Sequence, residues 1–345
     1  MVDVPISGRD AGIAAAKRWL RRRTSRAVDW RPARLVAAKG GTRVSVILPA
    51  RNEEQTVGAI VATIRRELME RVPLVDEVVV VDSHSTDRTG AVAAEAGARV
   101  VHQDAVLPEL PPLPGKGEAM WKGLAATHGD VVVFVDADLR DFGPHFVTGL
   151  LGPLLTDPEV CFVKGAYERP LTTSGRFERG AGGRVTELVA RPLINMFWPE
   201  LAGFVQPLAG EYAGRREVLE LVPFVTHYGV ELALLIDLLE LVGLDAMAQV
   251  DLGTRVHKHQ SVTMLGEMAA QIMHTAWSRL ERQRRLVATE PPGTTLLQFL
   301  VEDGVGATRS CDVRVRERPC LASLGVGVPA AFRGRRVPAV GRGWP

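Results

Sequence analysis

The chain has 345 residues, 46% hydrophobic and 24% charged, with a formal net charge of +2. Such a chain can bury a sizeable core, and its charge balance argues against nucleic-acid binding by the molecule as a whole. Cys161, Cys311 and Cys320 have neither metal-site spacing nor a disulfide framework, and no apolar run nears the roughly 20 residues of a membrane span. The expectation is a soluble cytoplasmic protein without stable membrane insertion.

Residues 1–43 read as a helical arm, with AGIAAAKRWLRRR as its helix and Trp19 and Leu20 as docking residues. A regular alternation follows. VSVILPA (44–50) is β-branched and reads as a strand, and residues 53–68 carry Val57, Ile60, Val61 and Ile64 at helical spacing. Strands are then expected at 76–83, 98–103 and 130–138, and helices at 87–97 and 115–127. Continuous apolar strands alternating with helices predict a mostly parallel sheet covered on both faces. In such sheets ligands gather at the carboxyl ends of the strands. PARNEE, DSHSTD and DAD stand at three of those ends.

The second half is less regular. A Gly-rich turn leads into a helix at 180–197, an apolar helix covers 229–244, and 245–259 alternates like a strand. Met268, Ile272, Met273, Ala276 and Trp277 form a helical stripe between 264 and 280, suited to core packing or to a homodimer face. Weak order is expected beyond about Val305, where Gly, Pro and Arg dominate. The expected divisions are an arm (1–43), a regular α/β half (44–165), a less regular half (166–262), C-terminal helices (263–303) and a poorly ordered tail (304–345).

The chemistry-bearing residues cluster at the strand ends. Asp136 and Asp138 repel one another unless a cation lies between them, and Mg²⁺ commonly takes one or two carboxylates plus phosphate oxygens. A solvated pair capping the next turn is the plainer alternative. Asn52 and Glu53 sit at a helix start, where capping alone would account for them. Lys116 lies between two glycines at a helix start and can approach an anion closely. PGKGE is not a P-loop, because Gly117 stands where Ser or Thr is required. Gly182, Gly183, Arg184 and Thr186 open another helix and suit an acidic ligand. A nicotinamide-dependent oxidoreductase is disfavoured, since PARNEE rather than GxGxxG follows the first strand.

Strand–PARNEE, strand–DSxSTD and strand–DAD resemble the nucleotide-sugar half of GT-A (Rossmann-like) glycosyltransferases. PGKGEAMWKGLAAT, DVVVFVDADL, GGRVTELVARPL, QPLAGEYAGRRE, YGVELALLID and LDAMAQVDLGTRVHKH resemble the retaining glucosyl-3-phosphoglycerate synthases from about residue 30 to 303. Mannosyl-3-phosphoglycerate synthases of the same family share much of this pattern. The resemblance implies an α/β GT-A fold with a helical C-terminal extension. It implies metal-dependent transfer of glucose from UDP-glucose to the 2-hydroxyl of 3-phospho-D-glycerate, with Mg²⁺ or its substitute Mn²⁺. It places the nucleotide sugar on Pro49, Ala50, Asn52, Glu53, Ser83, Lys116, Asp136, Ala137, Tyr228, Glu231 and Arg255. It places the acceptor on Gly183, Arg184, Val185, Thr186 and His259, and the metal on Asp138 and His257. Glu231, Asp136 and Lys116 become the catalytic set, and a homodimer is expected. GDP-mannose as donor, a polyprenyl-phosphate acceptor and a non-catalytic nucleotide-sugar sensor remain open alternatives. His84 departs from the pattern, standing where relatives commonly carry a small residue.

Overall fold

The structure, a computed structural model, describes residues 8–168, 171–173, 176–178, 183–255, 261–302 and 305–325. In chain order the elements are α1 (Gly8–Arg23), β1 (Thr24–Arg26), α2 (Pro32–Lys39), β2 (Val44–Ala50), α3 (Val57–Ile64), β3 (Glu77–Asp82), α4 (Thr89–Glu95), β4 (Arg99–His102), α5 (Lys116–Ala126), β5 (Val131–Phe134), α6 (His145–Thr156) and β6 (Phe162–Glu168). Then come β7 (Leu171–Thr173), β8 (Arg176–Glu178), α7 (Arg191–Phe197), β9 (Tyr212–Arg215), α8 (Arg216–Leu219), β10 (Phe224–Val225), α9 (Val230–Val242), β11 (Met247–Thr254), α10 (Val262–Arg282), β12 (Thr295–Glu302), β13 (Val305–Asp312) and β14 (Glu317–Arg318).

Eight strands form one sheet in the order β1-β11-β6-β9-β5-β2-β3-β4. β9 runs antiparallel to β5 and β6, and the other pairings are parallel. Side chains alternate along a strand, and here both faces are covered. Val44, Val46 and Leu48 join Val78, Val80, Val131 and Val133 beneath α3 and α6. Ile47, Val79, Val81, Val132 and Phe134 face the other way, into a core shared with α5, α9 and α10. Each such fully buried aliphatic side chain contributes about 1.5–3 kcal/mol relative to exposure.

The N-terminal segment is more than an arm. β1 adds a parallel edge strand against β11. Trp19 is 1% exposed and donates from Nε1 to the Met247 carbonyl at 2.7 Å. Leu20, expected to dock alongside it, is exposed. TSR has no apolar periodicity, so a three-residue edge strand gives little signal to read.

The C-terminal expectations also need correction. Among the described residues between 263 and 303 the one helix is α10, and 295–302 is β12, which pairs antiparallel with β13. Residues 305–325, expected to be weakly ordered, instead carry β13 and β14, and β14 pairs with β10. Their charges are fixed by partners rather than by solvent. Arg318 forks onto the fully buried Glu118, Nε to Oε2 at 2.6 Å and Nη2 to Oε1 at 2.7 Å. Glu317 accepts from Arg279 at 2.6 Å, and Arg279 also pairs with Asp237. On α10 the stripe divides: Ile272 and Ala276 are buried, whereas Met273 is exposed, as is Met264 in the first turn outside the stripe.

Candidate active site

PGKG builds the first wall. Gly115 has φ +97°, a left-handed conformation that glycine tolerates, and a side chain there would meet His227 backbone at 2.7 Å. A Cβ on Gly117 would lie 1.8 Å from the Val225 carbonyl oxygen. The two glycines therefore let the first turn of α5 press against β10 and the loop after it. Lys116, between them, reaches into the site. Its Nζ lies 2.6 Å from Asp136 Oδ1 and 2.9 Å from Glu231 Oε1. Burial lowers the affinity of Lys116 for its proton, but Asp136 and Glu231 outweigh that and hold it well above the ordinary lysine value.

Asp136 and Asp138 come just past the end of β5, and Arg255 comes just past the end of β11. Arg255 is 3% exposed and serves four partners. Nη2 donates to Asp138 Oδ1 at 3.0 Å and to Asp136 Oδ2 at 3.5 Å. Nη1 donates to Glu211 Oε1 at 2.6 Å and to the Tyr167 hydroxyl at 2.9 Å. Burial, and then the neighbouring Asp136 charge, raise the pKa of Asp138 above the usual carboxylate value, with Arg255 and Lys116 opposing. The Asp138 side chain is nonetheless 49% accessible. Beneath the cluster, Lys164 is 1% exposed, donates to the Ala209 carbonyl at 2.6 Å, and lies 4.4 Å from the Tyr212 ring centre. Burial pushes its ammonium down to about 7.

The donor set suits a hard divalent cation. Asp136 and Asp138 offer carboxylate oxygens at one strand end, and the Asp138 side chain is accessible to an arriving ion. His257, expected as a further ligand, lies outside the described residues, as do Gly182 and His259.

The edge expected to take the nucleotide is a clasp between two loops. Ala50 and Asp82 are register partners at adjacent strand ends, and Ser83 N donates to the Ala50 carbonyl at 2.9 Å. Asn52, at φ +58°, accepts from Thr86 N at 2.8 Å, and Glu53 N donates to Thr89 Oγ1 at 2.7 Å. Ala137 O accepts from Thr56 Oγ1 at 2.6 Å, tying the loop after β5 to the same corner. Pro49, Ala50, Asn52, Glu53, Ser83 and Ala137 are thus brought to one edge of the sheet. Glu231 is in the first turn of α9, and Tyr228 precedes that helix with its phenol pushed up by burial.

In the segment expected to take the acceptor, Gly183 has φ +98° and its carbonyl accepts from Glu187 N at 2.9 Å, opening the helical segment that continues into α7. Arg184 is exposed there, while Val185 and Thr186 are buried. Sequence reasoning assigned no role to Glu211, Tyr167 or Lys164. Charged residues in the apolar runs FVKGAYE and AGEYAGR were the available signal.

The chain matches the Glycosyl transferase family 2 profile over residues 45–206. It is 48% identical over 307 residues to glucosyl-3-phosphoglycerate synthase of Mycolicibacterium smegmatis, covering 89% of this chain and 98% of the relative. The corresponding enzyme of Petrotoga mobilis is 46% identical over 248 residues, 72% of this chain and 76% of the relative. Among solved structures, mannosyl-3-phosphoglycerate synthase from Rubrobacter xylanophilus superposes with a TM-score of 0.83 at 41% identity, covering 90% of this chain and 98% of that one. Glucosyl-3-phosphoglycerate synthase from Mycobacterium tuberculosis, in complex with Mn²⁺, UDP and phosphoglyceric acid, gives 0.76 at 44% identity, covering 86% and 95%. With the mostly parallel sheet and the charged cluster at its strand ends, these matches carry the assignment: the chain belongs to the glucosyl-3-phosphoglycerate synthase family of the family 2 glycosyltransferases.

Proposed function

We propose that the chain transfers glucose from UDP-glucose to the 2-hydroxyl of 3-phospho-D-glycerate, with retention of the α configuration and in the presence of Mg²⁺ or Mn²⁺. The observation that carries the reading is the junction of Lys116, Asp136, Glu231, Asp138 and Arg255 at neighbouring strand ends. It is supported by relatives of known ligand content. Structures of the Mycobacterium tuberculosis enzyme hold UDP-glucose and phosphoglyceric acid with Mn²⁺, and UDP with Mg²⁺.

Asp138, with His257, would hold the cation, and Asp136 stands beside it as the companion carboxylate. When bound it supplies Lewis-acid neutralisation of the departing diphosphate, a contribution of several kcal/mol. Lys116 adds a positive charge fixed in place by Asp136 and Glu231, so little reorganisation is needed when phosphate oxygens arrive. Arg255 holds both aspartates in position from below. Glu231 is buried and already engaged by Lys116 at 2.9 Å, which suits orienting a sugar or acceptor hydroxyl rather than covalent attack. Arg184 and the backbone at Gly183 receive the acidic acceptor.

The high structural similarity to a mannosyl enzyme keeps GDP-mannose as a second donor to be tested. No helix among the described residues is long and apolar enough to cross a membrane, which does not favour a polyprenyl-phosphate acceptor. The exposed Met264 and Met273 on α10 support a homodimer. Three free cysteines fit a cytoplasmic location.

The test incubates purified chain with Mg²⁺, 3-phosphoglycerate and a panel of nucleotide sugars, with products identified by NMR. α-Glucosyl-3-phosphoglycerate from UDP-glucose is expected. Transfer from GDP-mannose alone would overturn the donor assignment, and UDP binding without any transfer would favour a sensor. Asp138→Asn should abolish metal-dependent turnover without lowering the melting temperature, and wild-type turnover in that variant would remove Asp138 from the metal site.

A further inference from the structure

His84 is the departure in DSHSTD that the transfer reaction does not use. β3 and β4 are parallel neighbours, and their register pairs Asp82 with His102. His84 follows the end of β3 by two residues, and Asp104 follows the end of β4 by two. Parallel strands sit about 4.8 Å apart, so the register alone brings these three side chains to one corner. One ring nitrogen from each histidine and a carboxylate oxygen of Asp104 all lie within 4.8 Å of one another. His84 Nε2 lies 2.7 Å from Asp104 Oδ2, and the two imidazoles meet edge to face at 5.2 Å. His102 Nδ1 accepts from Asp104 N at 3.3 Å, which orients its ring.

The buried Gln103 stands behind the cluster. Its Nε2 donates to the Leu113 carbonyl at 3.2 Å and lies 3.5 Å from His84 Nδ1. Both histidines are exposed, so an ion can enter. Tetrahedral ligands at about 2.1 Å from zinc stand about 3.4 Å apart, so closure asks only a small movement of exposed side chains.

We propose that His84, His102 and Asp104 form a second metal site, selective for a borderline transition ion such as Zn²⁺ or Co²⁺ over Mg²⁺. Two imidazoles and one carboxylate are the donor set such ions prefer, whereas Mg²⁺ favours an all-oxygen shell. Binding at His84 Nε2 takes the place of the contact with Asp104, and the imidazole stays neutral by carrying its proton on Nδ1. The bound ion ties the loop after β3, which carries Ser83, to the loop after β4. It therefore acts as a tether at the nucleotide edge, separate from Asp136 and Asp138.

The test titrates Co²⁺ into chelator-treated full-length protein in excess Mg²⁺, following the visible d–d bands, with Zn²⁺ as competitor. The expected result is one equivalent of Co²⁺ displaced by Zn²⁺ and retained in Asp138→Asn. His84→Ala and His102→Ala should each weaken binding by more than about tenfold while leaving the Mg²⁺-supported rate unchanged. No Co²⁺ bands, or bands that survive both histidine substitutions, would overturn the site. Loss of the bands in Asp138→Asn would assign the ion to the catalytic centre instead. None of these outcomes depends on which sugar the enzyme transfers.

Discussion

Arg318→Ala tests whether the C-terminal segment is part of the folded body. Arg318 forks onto Glu118, which is fully buried in α5. Removing the guanidinium strands a buried carboxylate, and breaking such a pair costs about 3–5 kcal/mol. Lys122 Nζ, 3.9 Å from Glu118 Oε1, retains some compensation, so the lower end applies. An unfolding entropy of about 2.1 cal/mol/K per residue, taken over 345 residues, gives about 0.7 kcal/mol/K. A loss of about 3 kcal/mol then lowers the melting temperature by about 4 °C. Scanning calorimetry at neutral pH reads the shift directly. The double variant Glu118→Gln/Arg318→Met, which removes both charges, should recover at least half of it. A fall below about 1 °C in Arg318→Ala, or a double variant less stable than the single, would refute the burial argument.

Two further outcomes follow from the site. A Cβ on residue 210 would lie 2.2 Å from both carboxylate oxygens of Asp136, so Gly210→Ala should displace Asp136 from Lys116. Misplacement on this scale costs about 100-fold in kcat by steady-state kinetics, and an unchanged kcat would show that the position of Asp136 is unimportant. Lys164, pushed by burial down to about 7, gives a pH signature. Between that value and the ordinary lysine range the unfolded chain holds a proton that the folded chain lacks, so stability rises with pH across this window. Urea melts from about pH 6 to 9 should show the rise, and Lys164→Met should flatten it. The same slope in Lys164→Met would assign the effect to another group.

The sheet was legible because its strands are continuous apolar runs. Val44–Ala50 and Glu77–Asp82 lie close to where their β-branched residues indicated, and Asp136 and Asp138 stand past a strand end as expected. What the sequence concealed is whatever depends on partners distant along the chain. Glu211 reads as an isolated acid until Arg255 arrives from 44 residues away. ERPC reads as a solvated tail, yet Glu317 and Arg318 are held by Arg279 and Glu118. PGKG was read as an anion approach, and its glycines turn out to admit Val225 and His227 as close neighbours.

The hydrogen bond from Trp19 to Met247 spans 228 residues and has a consequence for biogenesis. β2, β3, β4 and β5 are contiguous in sequence and can pair among themselves as the chain emerges from the ribosome. α1 and β1 precede these strands, but among the described residues β1 pairs in the sheet with β11 alone, so it must wait for residues 247–254. Distant contacts of this kind delay folding, because the loop must close before the contact repays its entropy. The nucleotide edge can therefore assemble during synthesis, whereas Arg255 and the N-terminal helix lock into place together at the end.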